Sequence, residues 1–495
     1  MPAQNKFNLV DEPWIPIAGR GLVGLAEVFS DSNLPALGGN PIQKIALTKL
    51  LLAIAQSAYT PVDDKDWKNL GKAGMAKKAL EYLKVKKDLF LLYGEKPFLQ
   101  MPAIAQAEKQ SFGAVQISVA TGNTTVLTQS QIEILLTDAE KAVLVVQLMS
   151  FCLGGKKTDN SAVLTPGYQG KLNSKGKPST GRPGPSIGFK GFLHSFLNGG
   201  TLKETLWLNL LTKENIKEVK NFCDEVGTAP WLKMPKGEDC PTAQSLKNSY
   251  MGRLIPISRF VLLAEDGLYY SEGISHPGYA EGVSDASVAV NFSLKKPRAL
   301  WVDPERRPWR QMPALLSFLG SEKNSSFDCL QLRVGISRVK RFLPAFGIWC
   351  GGLRVSSNAG EQYVSGLDDF VESEISLDSS WLEEIWFTKL KQEMNELEQL
   401  SKIIYGTTMT FCKSQKLDGK DRSAQATHLF WQFCERRFQN LVYACEDKSG
   451  EETKKLRRVF GAFAEKAYNT FCPRGTARQL DAWAEHRPNL SQYLA

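Results

Sequence analysis

Between Leu164 and Gly191 the chain reads LTPGYQGKLNSKGKPSTGRPGPSIGFKG, with Lys171, Lys175, Lys177, Arg182 and Lys190 and no acid. Seven glycines and four prolines leave it too little apolar surface to make a core. Its chemistry is that of an anion contact. Glycine lets backbone N–H groups approach a phosphate or a base edge closely, and the lysines supply counter-charge. A solvated, inert loop is the plainer alternative, and composition does not separate the two. A second basic cluster, Lys454, Lys455, Arg457 and Arg458, lies near the start of a predicted helix. It reads as a basic helix face, for nucleic acid or simply for solvent.

Signs of catalysis are few. Gly167-Tyr168-Gln169-Gly170-Lys171 lacks the spacing of a Walker loop, and GxSxG and HExxH do not occur. Of the four histidines, His194 falls in an apolar run that reads as a helix, where a packed or surface role is the plainer reading. His428 and His486 have no Cys or Asp at ligand spacing. Glu383-Glu384 reads as a solvated helix face. The nine cysteines form no CxxC pair, so neither a zinc site nor any other metal or cofactor is expected. No catalytic residue is predicted.

The composition is that of an ordinary globular chain of 495 residues, 43% apolar and 23% charged, with net charge +9. An odd number of scattered cysteines, no signal peptide and no apolar run of membrane length predict a cytoplasmic protein with no membrane partner.

The elements that must carry the basic stretch are legible in part. A helix is predicted from Pro41 to Tyr59, and Asp63-Asp64 caps a short one around Trp67. A basic helix follows over 77–93, and an apolar one runs from Asp138 to Leu153. FGAVQISVATGNTTVLTQS, 112–130, reads as β-rich with an exposed loop or hairpin at Thr121-Gly122-Asn123. FLHSFLNG, 192–199, reads as a helix. Residues 254–301 have β texture, turning at Glu265-Asp266-Gly267. DPERRPWRQMPALLSFL, 303–319, opens a helix, and two strands after Arg341 join at the polar tip SSNAGEQ, 356–362. Beyond 376 four helical runs, 380–405, 423–446, 452–472 and 476–494, predict an antiparallel bundle. The fold class is therefore α+β, a large mixed α/β N-terminal domain over 1–375 followed by an all-α four-helix bundle over 376–495.

Several blocks together resemble one family, the large subunit of the type I-E CRISPR surveillance complex, Cascade. They are FNLVDEPWIPI (7–17), AQSAYTPVDDKDW (55–67), GEKPFLQM (94–101), TLWLNLLT (205–212), PWRQMPALL (308–316) and SAQATHLFWQFCERRFQNLV (423–442). The resemblance implies a non-catalytic subunit that recognises the protospacer-adjacent motif (PAM) in double-stranded target DNA. It also implies help in R-loop formation and in recruiting a helicase-nuclease, or a nuclease module on another subunit. Its implied partners are the guide RNA, the target duplex and displaced strand, and the other Cascade subunits. A loop reaching the guide-RNA handle corresponds to Thr121–Thr128, with Asn123, Thr125, Val126 and Leu127 available. The glycine-rich PAM loop falls in the basic stretch. Gly167 and Gly170 match best, Gly181 and Gly184 are alternatives, and Lys171, Lys175, Lys177 and Arg182 flank them. A wedge hairpin that splits the first base pair falls at 351–364, with Arg354, Ser356, Ser357, Asn358 and Gln362 available. Family members that use a lysine in the 254–275 region differ from this chain, which has Glu265-Asp266 there. The resemblance then implies either a different PAM preference or a lysine role taken over by Lys171 or Arg354. The competing readings are a nucleic-acid-processing enzyme with a divergent active site and an inert scaffold of a ribonucleoprotein.

Overall fold

The helix Pro41–Ala58 is capped by Asn40 through a reciprocal capping box with Gln43. It is buried on nearly its whole circumference, so it sits inside a core rather than on one. Near its middle is a lysine. Lys49 is 1% exposed and ion-pairs with Asp285, and its ammonium also donates to the Arg253 carbonyl at 3.0 Å. Asp285 in turn accepts from the Ser287 amide (3.1 Å) and hydroxyl (2.8 Å). The Ser287 hydroxyl lies 2.8 Å from His194 Nδ1, and its carbonyl accepts from the Ser195 amide at 2.8 Å. One buried charge thus ties three segments to the central helix.

The computed structural model describes residues 7–116, 134–151, 153, 191–219, 222–223, 225–279, 282, 285–320, 327–358, 361–363 and 369–494. They divide into two units, Met1–Pro308 with Phe327–Glu374, and Trp309–Ser326 with Ile375–Ala495.

In the first unit β1 (Ile15–Ile17) and β2 (Gly21–Val23) form a hairpin. β3 (Lys109–Ser111) pairs with the second of two later strands. β4 (His194–Asn198) is fully buried over four of its five residues. β5 (Arg259–Leu263) and β6 (Gly267–Glu272) complete the sheet β3-β6-β5, and β7 (Val290–Asn291) pairs with β8 (Arg298–Ala299). β9 (Ala345–Leu353) runs antiparallel to β4, followed by the hairpin β10 (Ser356–Asn358) and β11 (Glu361–Tyr363). β12 (Phe370–Asp378) then returns beside β9, giving the sheet β12-β9-β4.

The run FLHSFLNG is strand, not helix. Phe192, Leu193, Phe196 and Leu197 are all buried, and a short apolar run enclosed on both faces has no period to distinguish the two. FGAV turns into a single helical turn capped by Ser111, rather than strand. Asp64–Val85 is continuous except at Gly71, whose φ of 60° breaks it in two; the second part stops at Val85, and only a 3-10 turn at Lys87–Leu89 follows where the helix was expected to run to 93. The amphipathic helix Leu330–Phe342 brings Arg338 into the core. Arg338 donates to Asp64 (2.9 Å), the Leu210 carbonyl (2.7 Å) and Asn215 (2.6 Å). Its guanidinium lies 4.6 Å from the ring of Trp67, which stacks on Trp207 at 4.1 Å. Each of these indoles donates to the other's carbonyl, at 2.9 and 3.3 Å.

The second unit has three long helical stretches, Glu384–Ser414, Lys420–Glu435 continuing as Phe438–Ala444, and Glu451–Phe471. The expected fourth helix is two short pieces, Ala477–Glu485 and Ser491–Leu494. Pro488 cannot donate within a helix, and Asn489 caps the restart by accepting from the Ser491 amide at 3.0 Å. Residues 309–320, placed with the first domain by the division at 375/376, belong to this unit. Trp309 meets Phe438 at 4.8 Å and Trp431 at 5.8 Å. Arg310 lies 3.7 Å over the Trp431 ring and bonds Glu398 at 2.9 Å.

Lys49→Met leaves Asp285, only 14% exposed, without its counter-charge and should cost about 3–5 kcal/mol. Urea unfolding measures it, and a fall below about 1 kcal/mol would mean that Asp285 is solvated.

Burial and the nearby Arg253 push His276 down to about 3, and its Nε2 donates to the Pro256 carbonyl at 2.7 Å. Below its ordinary value of 6.5 the unfolded chain takes up a proton that the folded chain refuses. Stability should therefore fall on acidification, by about 1.4 kcal/mol per pH unit from this group. Unfolding midpoints at pH 7 and pH 5 should diverge less in His276→Gln than in the parent. Equal divergence would show that this histidine protonates freely.

Candidate nucleic-acid interface

Gly191, the last residue of the basic stretch, begins a described segment and has φ +63°. A Cβ there would meet the Leu353 carbonyl oxygen at 2.8 Å and the Val355 nitrogen at 3.1 Å, so only glycine fits. The Gly191 carbonyl accepts from the Val302 amide at 2.8 Å, and Leu193 donates to the Leu300 carbonyl at 3.1 Å. Gly352 closes the junction from the other side. A Cβ on it would lie 2.5 Å from Val302 Cγ2 and 2.8 Å from the Phe192 carbonyl oxygen. The exit of the basic stretch, the root of the β10–β11 hairpin and the segment after β8 therefore meet at one close-packed point.

Arg354 forms the neck of that hairpin. Its backbone amide donates to the Asp369 carbonyl at 2.8 Å and its guanidinium meets the Asp369 carboxylate at 2.7 Å. Asp369 is buried, while Arg354 remains 40% exposed. The clamp fixes where the hairpin leaves the sheet and keeps a cation beside it. Ser356 pairs with Tyr363, Ser357 with Gln362 and Asn358 with Glu361. Ser356, Ser357 and Asn358 are thus strand residues rather than the tip, which lies at 359–360, outside the described residues. Gln362 lies across the ladder from Ser357.

Gly167, Gly170, Lys171, Lys175, Lys177, Gly181, Arg182 and Gly184 lie outside the described residues, as do Asn123, Thr125, Val126 and Leu127. Asp266 at the β5–β6 turn is paired with Lys109 at 2.7 Å, which lowers its pKa and raises that of the lysine.

The bundle cations differ among themselves. Lys454 and Lys455 are exposed and paired with Glu451 (3.2 Å) and Glu452 (2.6 Å), one turn back along the helix. Arg457 turns inward to a bidentate pair with the buried Glu393, at 3.0 and 2.7 Å. It leaves the basic face, and its work is structural. Arg458 is exposed.

The structure brings forward one hairpin that the sequence did not single out. Across β7–β8, Phe292, Leu294, Lys295, Lys296 and Arg298 are all exposed. The available signal was a run from 286 to 302 with three cations and no acid.

His194 is buried in β4 against Ser287, which places it in the core. Among the described residues no three His, Cys, Asp or Glu side chains are grouped to hold a metal. No described helix is long and apolar enough to cross a membrane.

The family model of CRISPR-associated protein Cse1 matches residues 8–467. CRISPR-associated protein CasA/Cse1 of Thermus thermophilus is 28% identical over 356 residues, 66% of this chain and 64% of that protein. The match thus spans just under two thirds of that relative's length. The crystal structure of Thermus thermophilus CasA superposes with TM-score 0.73 at 20% identity, covering 99% of both chains. A chain of a CRISPR RNA-guided surveillance complex superposes with TM-score 0.67 at 14% identity, covering 99% of both. A family match over almost the whole sequence, joined to the same fold end to end, means that this chain belongs to the CRISPR-associated protein Cse1 family.

Proposed function

We propose that this chain is the large, non-catalytic subunit of a type I-E Cascade, which reads the PAM in duplex DNA and starts strand separation. It works in the cytoplasm with a guide RNA and the other subunits, and helps to recruit the nuclease. Family membership and the fold shared with a chain of an RNA-guided surveillance complex support the assembly. The observation that carries the DNA role is the junction at Gly191 and Gly352, which roots the basic stretch and the β10–β11 hairpin together.

The chemistry follows from that junction. A minor groove is narrow and negative, so a backbone without Cβ atoms, flanked by lysines, can enter it where side chains would clash. The groove's degenerate pattern suits a short, permissive motif. Base pairing by the guide then reads the rest of the target. On this reading the β10–β11 hairpin, its neck fixed by the Arg354–Asp369 clamp, parts the first base pair. Opening that pair costs a few kcal/mol before the guide gains anything. Polar groups of Ser357, Asn358 and Gln362 lower the cost by bonding freed base edges. The handle loop at 121–128 anchors the guide, and exposed Arg458 adds counter-charge on the bundle.

Deleting 357–362 with a two-residue closure, Gly351 and Gly352 kept, should leave binding to pre-opened bubble DNA within about twofold. Binding of the assembled complex to fully paired target should fall by tenfold or more, the equivalent of about 1.4 kcal/mol. Equal weakening on both substrates would make the hairpin a docking or packing element.

Replacing Lys171, Lys175 and Lys177 together with alanine should weaken duplex binding and flatten its salt dependence. The log–log slope should drop by up to about 0.9 for each phosphate no longer neutralised. An unchanged slope would mean that the stretch is inert. Bulky residues at Gly167 and Gly170 should impair discrimination between PAM sequences more than assembly on the guide.

A further inference from the structure

On the first unit an open groove of about 430 Å³ lies between the helix Leu25–Ser30 and the second half of the helix Asp64–Val85. Phe29, Ala73, Ala76 and Leu80 make its apolar lining. Ala73, Ala76 and Leu80 follow one another at three- and four-residue spacing, so they share a helix face. Alanines at the first two positions leave a trough where larger side chains would close it over.

The rim of the trough is basic. Lys77 and Lys84, two turns apart on one helix face, are exposed and form no ion pair among the described residues. Lys203 reaches the rim from the start of the helix Leu202–Leu208, its ammonium held by the Ser30 carbonyl at 2.8 Å and the Ser32 hydroxyl at 3.1 Å. The acids of the neighbourhood are already engaged. Glu27 and Asp31 pair with Arg20, and Glu204 pairs with Lys72 at 3.0 Å. Glu81, the one acid lining the groove, lies 3.8 Å from Lys78.

Nothing in the fold uses an apolar trough bordered by three cations. Nucleic acid would use the lysines and leave Leu80 and the alanines facing water, because phosphate contacts need charge alone. An amphipathic helix uses both features. Apolar side chains on one of its faces enter the trough, and carboxylates beside them meet the cations. From Ala73 to Lys84 the helix axis advances about 16 Å, so about three turns of a partner helix would cover the groove. We propose that this groove docks an acidic amphipathic helix of a partner protein, with Lys77, Lys84 and Lys203 on its carboxylates. The proposal involves none of the residues assigned to DNA above, and stands whether or not that reading holds.

The test titrates the full chain into a fluorescein-labelled synthetic peptide of about 14 residues, four helical turns long, and follows anisotropy. The peptide has a leucine at every third or fourth position and glutamates beside them. Two control peptides replace its leucines with serine or its glutamates with glutamine. The parent should bind the probe at least about tenfold more tightly than either control. Lys77→Glu and Lys84→Glu together should weaken probe binding about tenfold, and so should Ala73→Trp, which fills the trough without altering charge. Lys78→Glu changes an exposed lysine of the same helix outside the groove, and should stay within about twofold of the parent. All four positions are exposed, so thermal unfolding should match the parent throughout. Equal weakening by Lys78→Glu would reduce the contact to diffuse attraction and overturn the proposal. A parent that does not prefer the probe to its controls, or an Ala73→Trp variant that binds like the parent, would overturn it as well. Loss of duplex affinity by the assembled complex carrying Lys77→Glu and Lys84→Glu, with Ala73→Trp like the parent on both ligands, would assign these lysines to nucleic acid instead.

Discussion

A single ammonium inside an apolar helix orders the first unit. Taking Lys49 out of water is costly, and only the carboxylate of Asp285 and the carbonyl of Arg253 repay it. The loop at 285–287 therefore has one place to sit, and through Ser287 it fixes β4. β4 pairs with β9, which leads into the β10–β11 hairpin, and the same loop leads into β7. The β7–β8 and β10–β11 hairpins thus descend from one ion pair. Their positions relative to each other are set in the core rather than at the surface.

The sequence blocks that mark the family turn out to be packing elements. Trp67 of one block stacks on Trp207 of another beneath Arg338, and Trp309 and Arg310 of a third close on Trp431 of a fourth. Trp14 of the opening block is fully buried and donates to the Leu9 carbonyl at 2.9 Å. Large aromatic rings with fixed polar partners tolerate few replacements. These blocks therefore report on the core, and say little about which surface residues touch a ligand.

The β10–β11 hairpin has the opposite character. Its root is close-packed at Gly352, where a Cβ would meet Val302 and Phe192, while the chain beyond it carries Arg354, Ser356, Ser357, Asn358, Glu361 and Gln362. In the bundle the cations are divided in the same way, since Arg457 neutralises Glu393 while Arg458 faces water.

Local chemistry was enough to place the capped helix from Pro41, the turn at Glu265-Asp266-Gly267, the acid-free stretch before Gly191 and the three long helical stretches after 376. Each depends on neighbours within a few residues, through capping, turn geometry or periodicity. The sequence also carried the family, in aromatic blocks spaced along the chain. Only the tertiary structure could turn FLHSFLNG into a strand, because burial on both faces erases the period that would have shown it. Only it could move Trp309 and Arg310 into the second unit, withdraw Arg457 from the surface and expose Phe292. The meeting of Gly191, Val302 and Gly352 was equally illegible, since it joins residues 50 to 161 positions apart in sequence. Contacts over such separations depend on how the whole core closes, and no local pattern encodes them.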